Sequence, residues 1–223
     1  MEILKLEHID AENVEDLLEV LEKSFNIKFV GNELAGIRNL GEFCDHISNK
    51  LQLESSNDCT SQQAFYKLRN SISVKLEIDR KEITRQRNLQ EIFPKKERKS
   101  NIKILEKALG FKLKILTPPA WIMFSLIAIF LLSFICFIFN WKIAVSGLSF
   151  SLVGFWLADL MANDLELENV EELVKKMVRN NYLQSRRDQG TFNKNEIEKV
   201  LMDLFSNELG FEKNELTRDT KFV

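Results

Sequence analysis

Two long apolar stretches, separated by a short polar break, dominate the hydrophobic pattern of the chain. Together they run from residue 121 to residue 160, and the break between them is Asn140-Trp141-Lys142. Each stretch has roughly 18–20 residues, the length that an α-helix needs to cross a hydrocarbon core about 30 Å thick. The pattern therefore predicts a transmembrane helical hairpin over residues 120–162, with both outer ends on the same side of the membrane.

The distribution of basic residues predicts which side that is. Residues 95–119 contain eight basic and two acidic side chains, whereas the break between the apolar stretches contains only Lys142. Because cytoplasmic flanks have the excess of lysine and arginine, both termini are predicted to be cytoplasmic. Trp121 and Trp156 near that boundary, with Trp141 at the far turn, fit the aromatic belts of a bilayer. We expect a multi-pass protein of the bacterial inner membrane with two transmembrane helices, in contact with the lipid bilayer.

Outside the hairpin, apolar residues recur at helical spacing. The clearest segment is Asn13–Phe25, which has apolar residues at i, i+3, i+4, i+7 and i+11 and acidic residues on the other face. The remaining segments are 40–51, 60–76, 98–109, 170–178 and 197–209. No alternating strand pattern competes with them, so the predicted fold class is all-α.

Candidate catalytic chemistry is sparse. His8 and His46, with Cys44 or Cys59, have no third group to orient a nucleophile, and Cys136 lies in an apolar stretch. There is no glycine-rich phosphate loop and no metal-ligand spacing. We therefore expect no enzyme activity, no cofactor and no metal. The basic run lacks interleaved aromatic residues, so we expect no nucleic-acid partner.

One segment carries a family resemblance. IDAENVEDLLEVLEKSFNIKFVGNELAGIRNLGEFCDHI, residues 9–47, has an aspartate at the start of an acidic helix, an LE..F close of that helix and a further helix beyond. It resembles, without a gap, the second half of an acyl carrier protein. Residues 195–223 resemble the first helix and following loop of the same family. The resemblance implies small helical bundles on the cytoplasmic side of the hairpin.

An internal repeat extends this resemblance. Leu76–Leu89 aligns without gaps to Leu209–Phe222. We infer two acyl-carrier-like units. Unit B is residues 58–118, interrupted by the hairpin and completed by residues 164–182. Unit A is split between the chain ends, with residues 1–53 giving the later helices and 191–223 the first helix. A homodimer, in which the tail covers unit A of another chain, is the alternative.

Both units depart from the family at the attachment site. The serine after the aspartate bears the phosphopantetheine arm in a working carrier, but here Ala11 follows Asp10. The equivalent positions of unit B are Lys95, Lys96 and Glu97, again without a hydroxyl. The resemblance therefore implies two units that dock partners without being acylated.

The expected function follows from the resemblance. It is a membrane adaptor that recruits acyl-transfer enzymes, polyketide- or fatty-acid-type biosynthetic enzymes or a true carrier. The predicted partner-binding residues are Glu12, Glu15, Asp16, Glu19 and Glu22. The predicted basic face toward the membrane or a partner is Lys95, Lys96, Arg98, Lys99, Lys103 and Lys107. Two alternatives remain: a structural membrane subunit in which units A and B bind each other, and an active carrier whose phosphopantetheine arm is attached to a serine elsewhere in the chain.

Overall fold

The structure is a computed structural model that describes residues 3–4 and 11–222. Helices make up 61% of the chain, which confirms the predicted all-α class. Ten α-helices and six strands of two residues each lie within the described residues. The strands form three small pairs. Strand β1 (Ile3–Leu4) pairs parallel with β6 (Lys221–Phe222), β2 (Glu54–Ser55) pairs parallel with β5 (Thr191–Phe192), and β3 (Leu116–Thr117) pairs antiparallel with β4 (Asp164–Leu165).

The helices follow the predicted segments closely. They are α1 (Ala11–Phe25), α2 (Leu40–Lys50), α3 (Thr60–Leu76), α4 (Leu89–Ile92), α5 (Arg98–Leu109), α6 (Ala120–Cys136), α7 (Trp141–Leu160), α8 (Val170–Asn180), α9 (Tyr182–Ser185) and α10 (Lys194–Leu209). The two shortest, α4 and α9, have four residues each and were not expected from the sequence.

The chain divides into two compact bodies. The helical body contains the described residues up to Gln86, then Leu105–Phe111, and the described residues from Val170 onward. The hairpin body contains Arg87–Ile104 and Lys112–Asn169. These bodies do not coincide with units A and B, because helices from both units lie in the helical body. There α1, from unit A, contacts α8 and α9, from the segment that follows the hairpin.

In the helical body, α10 packs against both α1 and α2. An aromatic cluster marks this contact: the ring of Phe43 on α2 lies 5.7 Å from Phe205 on α10 and 6.3 Å from Phe222 on β6. The helix α3 packs mainly against α8 and α9. Each helix thus buries its apolar face against a helix that is distant in sequence.

The two copies of the sequence repeat end their helices in the same way. Helix α3 ends at Leu76 and α10 ends at Leu209, the two residues that the repeat aligns. The next residue adopts the left-handed conformation in both copies, with φ 57° at Glu77 and φ 75° at Gly210. Glycine suits this position because it has no Cβ to clash, whereas Glu77 accepts the strain.

The turns that follow these helices also match. The N–H of Glu82 donates to the carbonyl of Asp79, and the N–H of Glu215 donates to the carbonyl of Glu212, each at 3.0 Å. The donors of these two hydrogen bonds are aligned with each other in the repeat, and so are the acceptors. The aliphatic side chains that come next are buried in both copies: Ile83 and Leu216.

Shortly after each of these turns, a backbone N–H donates a hydrogen bond to the residue two positions before an 11-residue helix. Leu89 N–H donates to Glu168 O at 2.8 Å, shortly before α8, and Phe222 N–H donates to Arg38 O at 2.9 Å, shortly before α2. The same backbone hydrogen bond is therefore made twice. In one copy its two residues lie on either side of the apolar hairpin in sequence, and in the other copy they lie toward opposite ends of the chain.

A buried arginine joins three segments of the helical body. The Arg186 side chain is 1% exposed. Its Nη1 donates to Asp58 O at 3.3 Å and to Thr60 Oγ1, while its Nε and Nη2 donate to Thr191 Oγ1 at 3.4 and 3.3 Å. The guanidinium also lies 5.8 Å from the ring centre of Tyr182. These bonds fix the start of α3 to the segment between α9 and α10.

Tyr182 extends this network to α1. Its N–H donates to Ser24 Oγ at 2.9 Å, and the Ser24 hydroxyl donates to Arg179 O at 2.8 Å. Its own hydroxyl accepts a hydrogen bond from the N–H of Asn193 at 2.9 Å. Burial raises the pKa of the Tyr182 phenol. The Ser24 hydroxyl near the end of α1 is thus bonded to the last turn of α8 and to the first residue of α9.

In the hairpin body, α6 and α7 pack side by side in opposite directions, since Ser133 faces Gly147 and Leu126 faces Gly154. A Cβ placed on Gly147 would overlap Ser133 Oγ, and one on Gly154 would lie 2.5 Å from a Leu126 methyl carbon. The glycines therefore let the helices approach closely.

Among the described residues, only α7 is a helix long and apolar enough to span a membrane by length and composition. Helix α6 is apolar but has 17 residues. The structure thus shows the expected pair of apolar helices. By length and composition, however, only α7 of this pair meets the expectation of a membrane-spanning helix.

We predict that Gly147→Leu separates α6 from α7. The added side chain cannot fit beside Ser133, and overpacking of this kind costs about 1–3 kcal/mol. Thermal unfolding of the detergent-purified protein, followed by circular dichroism, should show a lower midpoint. Gly36→Leu is the control, because a Cβ there meets nothing within 4 Å. Equal midpoints for the two variants would contradict the close helix contact.

We predict that Arg186→Met destabilises the helical body by about 2–4 kcal/mol, because it removes the hydrogen bonds to Asp58, Thr60 and Thr191 and leaves the buried Thr60 hydroxyl without this donor. Urea unfolding in detergent measures this loss. The neighbouring Arg187→Met is the control, since that side chain is exposed and its change should cost less than about 0.5 kcal/mol. If the two variants unfold at the same urea concentration, Arg186 does not hold these segments together.

Candidate functional site

Helix α1 has one buried face and one acidic face. Leu17, Leu21 and Phe25 are buried in the helical body. The side chains of the acidic residues on the other face are exposed, except for Glu22, which is half-buried: Glu12, Glu15, Asp16, Glu19 and Glu22. The carboxylate of Glu22 accepts a hydrogen bond from the N–H of Phe29 at 2.6 Å, so it also orders the chain after α1. The structure therefore places the predicted partner-binding residues on one accessible helix.

An apolar pocket of about 190 Å³ lies beside this helix. Side chains from α1, α2, α10, the loop before α2 and β6 line it, and all of them are apolar: Val14, Leu17, Leu18, Leu34, Ile37, Phe43, Phe205, Leu209 and Phe222. The pocket is partly open at the protein surface, and its apolar walls offer contacts to a small apolar group. The pocket can bind an apolar group, and its lining offers no acid, base or nucleophile.

Two acidic residues of α1 are helix-surface neighbours of a residue that lines this pocket. Leu18 lines it, and Glu15 and Glu22 lie three residues before and four residues after Leu18 on the same helix. Residues at these spacings are neighbours on a helix surface. An apolar pocket beside an acidic helix face is suited to a partner that presents an apolar group together with basic residues.

The start of α1 bears on the question of acylation. Ala11 is the first residue of the helix, and Asp10 lies outside the described residues. In the other unit, Lys95, Lys96 and Glu97 form a turn immediately before α5, and Ser100 lies inside that helix. At the start of α1, as at the turn before α5, the aligned positions have no hydroxyl that could be modified.

The predicted basic face is only partly available. Lys96, Lys99, Lys103 and Lys107 are exposed, and so is Lys95, whose ammonium lies 3.1 Å from the Asp164 carboxylate. These residues lie on α5 or in the turn before it.

Arg98 is a correction to the basic face. Its side chain is 6% exposed, its Nε donates to Phe93 O at 2.9 Å and its Nη1 donates to Asn163 O at 2.6 Å. A guanidinium that satisfies two backbone carbonyls in the interior of the hairpin body stabilises that body, and it is not presented to a partner.

The remaining candidates for chemistry are dispersed. His46 Nε2 lies 3.9 Å from Glu33, Cys44 is buried, Cys59 is exposed beside the first residue of α3, and His8 lies outside the described residues. Within the described residues, no group of three or more His, Cys, Asp or Glu side chains could hold a metal ion.

Sequence reasoning missed two features of the helical body. The apolar pocket was not foreseen, because its walls come from both ends of the chain. A second cleft of about 600 Å³ has Cys59 on its edge and a mixed set of charges around it: Lys175, Arg179, Glu196, Lys199, Asp203 and Lys213. Local sequence gives no signal for either one.

The chain matches no protein-family model, no curated protein sequence and no solved structure. The resemblance to acyl carrier proteins therefore stays a prediction from the residues quoted above.

We predict that maleimide modifies Cys59 and spares Cys44 in the folded protein at pH 8. Burial raises the pKa of the Cys44 thiol to about 12, so almost none of it is thiolate at that pH, whereas Cys59 is exposed. Peptide mass spectrometry after brief labelling measures both sites. Labelling after urea denaturation is the control, in which both should react. Equal labelling of the two sites in the folded protein would contradict the burial of Cys44.

Proposed function

We propose that this protein is a membrane-anchored, acyl-carrier-like adaptor that is not itself acylated. Its helical body recruits acyl-transfer enzymes, polyketide- or fatty-acid-type biosynthetic enzymes, or a true acyl carrier, to the cytoplasmic face of the bacterial inner membrane. The proposal combines a carrier-like fold, a missing attachment residue, an accessible acidic helix and an apolar hairpin.

The observation that carries this proposal is the packing of α10 on α1 and α2. The tail resembles a carrier first helix, and the N-terminal helices resemble the later half of the same family. Their contact is what a carrier unit completed within one chain requires. The matched turns after α3 and α10 give further support, because they repeat both the left-handed residue and the bond to the segment before the next helix.

Ala11 supports docking without acylation. A methyl group cannot act as the nucleophile that accepts a phosphopantetheine arm. The acidic residues of α1 other than Glu22 nevertheless remain exposed, and apolar residues of the same helix line a pocket. A surface that keeps its charge but lacks the attachment residue is suited to binding the enzymes of a pathway without carrying their substrate.

Membrane anchoring is supported by the exposure of apolar side chains on α6 and α7. Only 17% of the most apolar window of α7 is buried. A core helix of a water-soluble protein would bury most of such a window, whereas a lipid-facing helix leaves it exposed to acyl chains. Exposed apolar patches of this extent mark contact with a membrane or another protein.

The first apolar segment also extends beyond α6. Phe137, Ile138 and Phe139 continue as a turn in which each N–H donates to the carbonyl three residues earlier, at 3.1–3.3 Å. With about 1.5 Å of rise per α-helical residue and about 2 Å per residue of this tighter turn, the segment reaches about 30 Å. In the proposed topology both apolar segments therefore cross the bilayer.

A structural subunit is the second candidate. It is favoured by the contact of α1 with α8 and α9, since this contact joins helices assigned to different units. In that case the helical body binds membrane subunits of a larger complex and no soluble enzyme.

We predict that the native protein has its unmodified mass and crosslinks to biosynthetic enzymes through α1. The test is intact-mass and crosslinking mass spectrometry on membranes from the native host. Reversal of Glu15, Asp16 and Glu19 to lysine should lower these crosslinks at least about tenfold, because like charges then face a basic partner. The control reverses three exposed acids outside α1, namely Glu54, Glu212 and Asp219, and should retain the crosslinks.

Other outcomes separate the alternatives. A mass increase of one phosphopantetheine arm would overturn the non-acylated adaptor and indicate an active carrier with another attachment residue. Crosslinks to membrane subunits alone, unaffected by the reversal, would favour the structural subunit.

A further inference from the structure

We propose that the lysines at the start of α5 form a binding site for the headgroups of anionic phospholipids. The site consists of Lys95, Lys96, Lys99 and Lys103, all within the hairpin body. This inference rests on the proposed membrane span of α7, and it adds to that span a lipid preference that anchoring alone does not require.

Two hydrogen bonds hold the start of α5 at the end of α7. Lys99 Nζ donates to the carbonyl of Leu160, the last residue of α7, at 3.1 Å. The buried Arg98 donates to Asn163 O at 2.6 Å, three residues further along the chain. If Leu160 lies at the cytoplasmic boundary, then the ammonium group of Lys99 lies at the same depth.

The turn before α5 is held to the same segment. The side-chain amide of Asn163 donates to Lys95 O at 3.1 Å, and the Lys95 ammonium lies 3.1 Å from the Asp164 carboxylate. The pairing of β3 with β4 further joins the segment before α6 to the segment after α7. Lys95 is therefore positioned by the exit of the membrane helix, independently of the Lys99 contact.

The donors of these lysines are not used up by these contacts. An ammonium group has three donors, whereas a hydrogen bond to Leu160 O uses one donor of Lys99. Lys96 and Lys103 are exposed on the same segment. Within residues 95–103 and 156–163, the exposed acids are Glu97 and Asp159, and the four lysines of the site outnumber them. Phosphate oxygens of lipid headgroups match such a set of exposed ammonium groups.

Tryptophan side chains indicate the depth of the site. Trp156 lies one turn before Leu160 and is 64% exposed, and Trp121 lies one residue after the start of α6 and is 71% exposed. Exposed tryptophans at the ends of apolar helices prefer the headgroup region of a bilayer. They place aromatic rings and lysines together at one interface, where each lysine favours an anionic surface.

The two tryptophans also give the measurement. The full chain with Trp141→Phe is reconstituted in nanodiscs that contain brominated phosphatidylglycerol or, at the same mole fraction, brominated phosphatidylcholine. Bromine quenches tryptophan fluorescence on contact, so quenching reports which lipid lies beside Trp121 and Trp156. We expect the apparent affinity for the anionic lipid to be at least about fivefold higher, and to fall in high salt because exposed charges are screened.

Two triple lysine-to-glutamine variants test whether the lysines of this site cause the preference for anionic lipid. Lys96, Lys99 and Lys103 changed together to glutamine should abolish the preference. The control changes three exposed lysines of the helical body, Lys28, Lys199 and Lys221, to glutamine, and should keep it with the same change in net charge. Circular dichroism verifies that both variants remain helical.

The outcomes separate this inference from the proposed function. Equal quenching by the two lipids, or a preference that persists in the first variant, would overturn the lipid site while leaving the membrane anchor in place. Absence of quenching by either lipid would show that the hairpin is not inserted, and would overturn the anchor and the lipid site together.

Discussion

The apolar stripe of α1 and α2 has to be covered, and α10 from the other end of the chain covers it. Phe205 of α10 packs edge-on against Phe43 of α2, and Leu201 and Leu204 of α10 are fully buried, as is Leu21 of α1. Burial of one such side chain contributes about 1.5–3 kcal/mol. This contact requires the two ends of the chain to lie on the same side of any membrane that the hairpin crosses. The even number of proposed spans satisfies that requirement.

The same contact explains why the helical body is built from separate stretches of sequence. Helices that come from opposite ends of the chain need bonds that fix their relative positions, and Arg186 and Tyr182 supply them. The guanidinium binds oxygens from both sides of the apolar hairpin, at Asp58, Thr60 and Thr191. A buried guanidinium that lost these neutral oxygens would be left without hydrogen-bond acceptors, which is costly. It therefore favours the one arrangement of these segments in which the oxygens surround it.

The helices were predictable from the sequence because their apolar residues recur at helical spacing, and all six soluble segments contain an observed helix. The matched turns were predictable from the repeat, since Leu76 and Leu209 end their helices at aligned positions. The burial of Arg98 was not predictable, because its partners are backbone carbonyls that local sequence does not reveal. The apolar pocket depends on tertiary packing of both chain ends, and spacing along one helix cannot show it.

The central claim is that the two ends of one chain complete a single carrier-like unit. The most direct test introduces a cysteine pair, Gly41→Cys and Arg218→Cys, together with Cys59→Ser. A Cβ on Gly41 would lie 3.2 Å from the Arg218 Cβ and 3.0 Å from the Arg218 carbonyl oxygen, so a backbone shift of a few tenths of an ångström brings the pair to the Cβ–Cβ spacing of about 3.5–4.5 Å that disulfides have. The account predicts an intrachain disulfide, seen as a monomer by non-reducing electrophoresis and as a loss of two hydrogens by mass spectrometry. A disulfide-linked dimer, or free thiols at both introduced positions after mild oxidation, would contradict it.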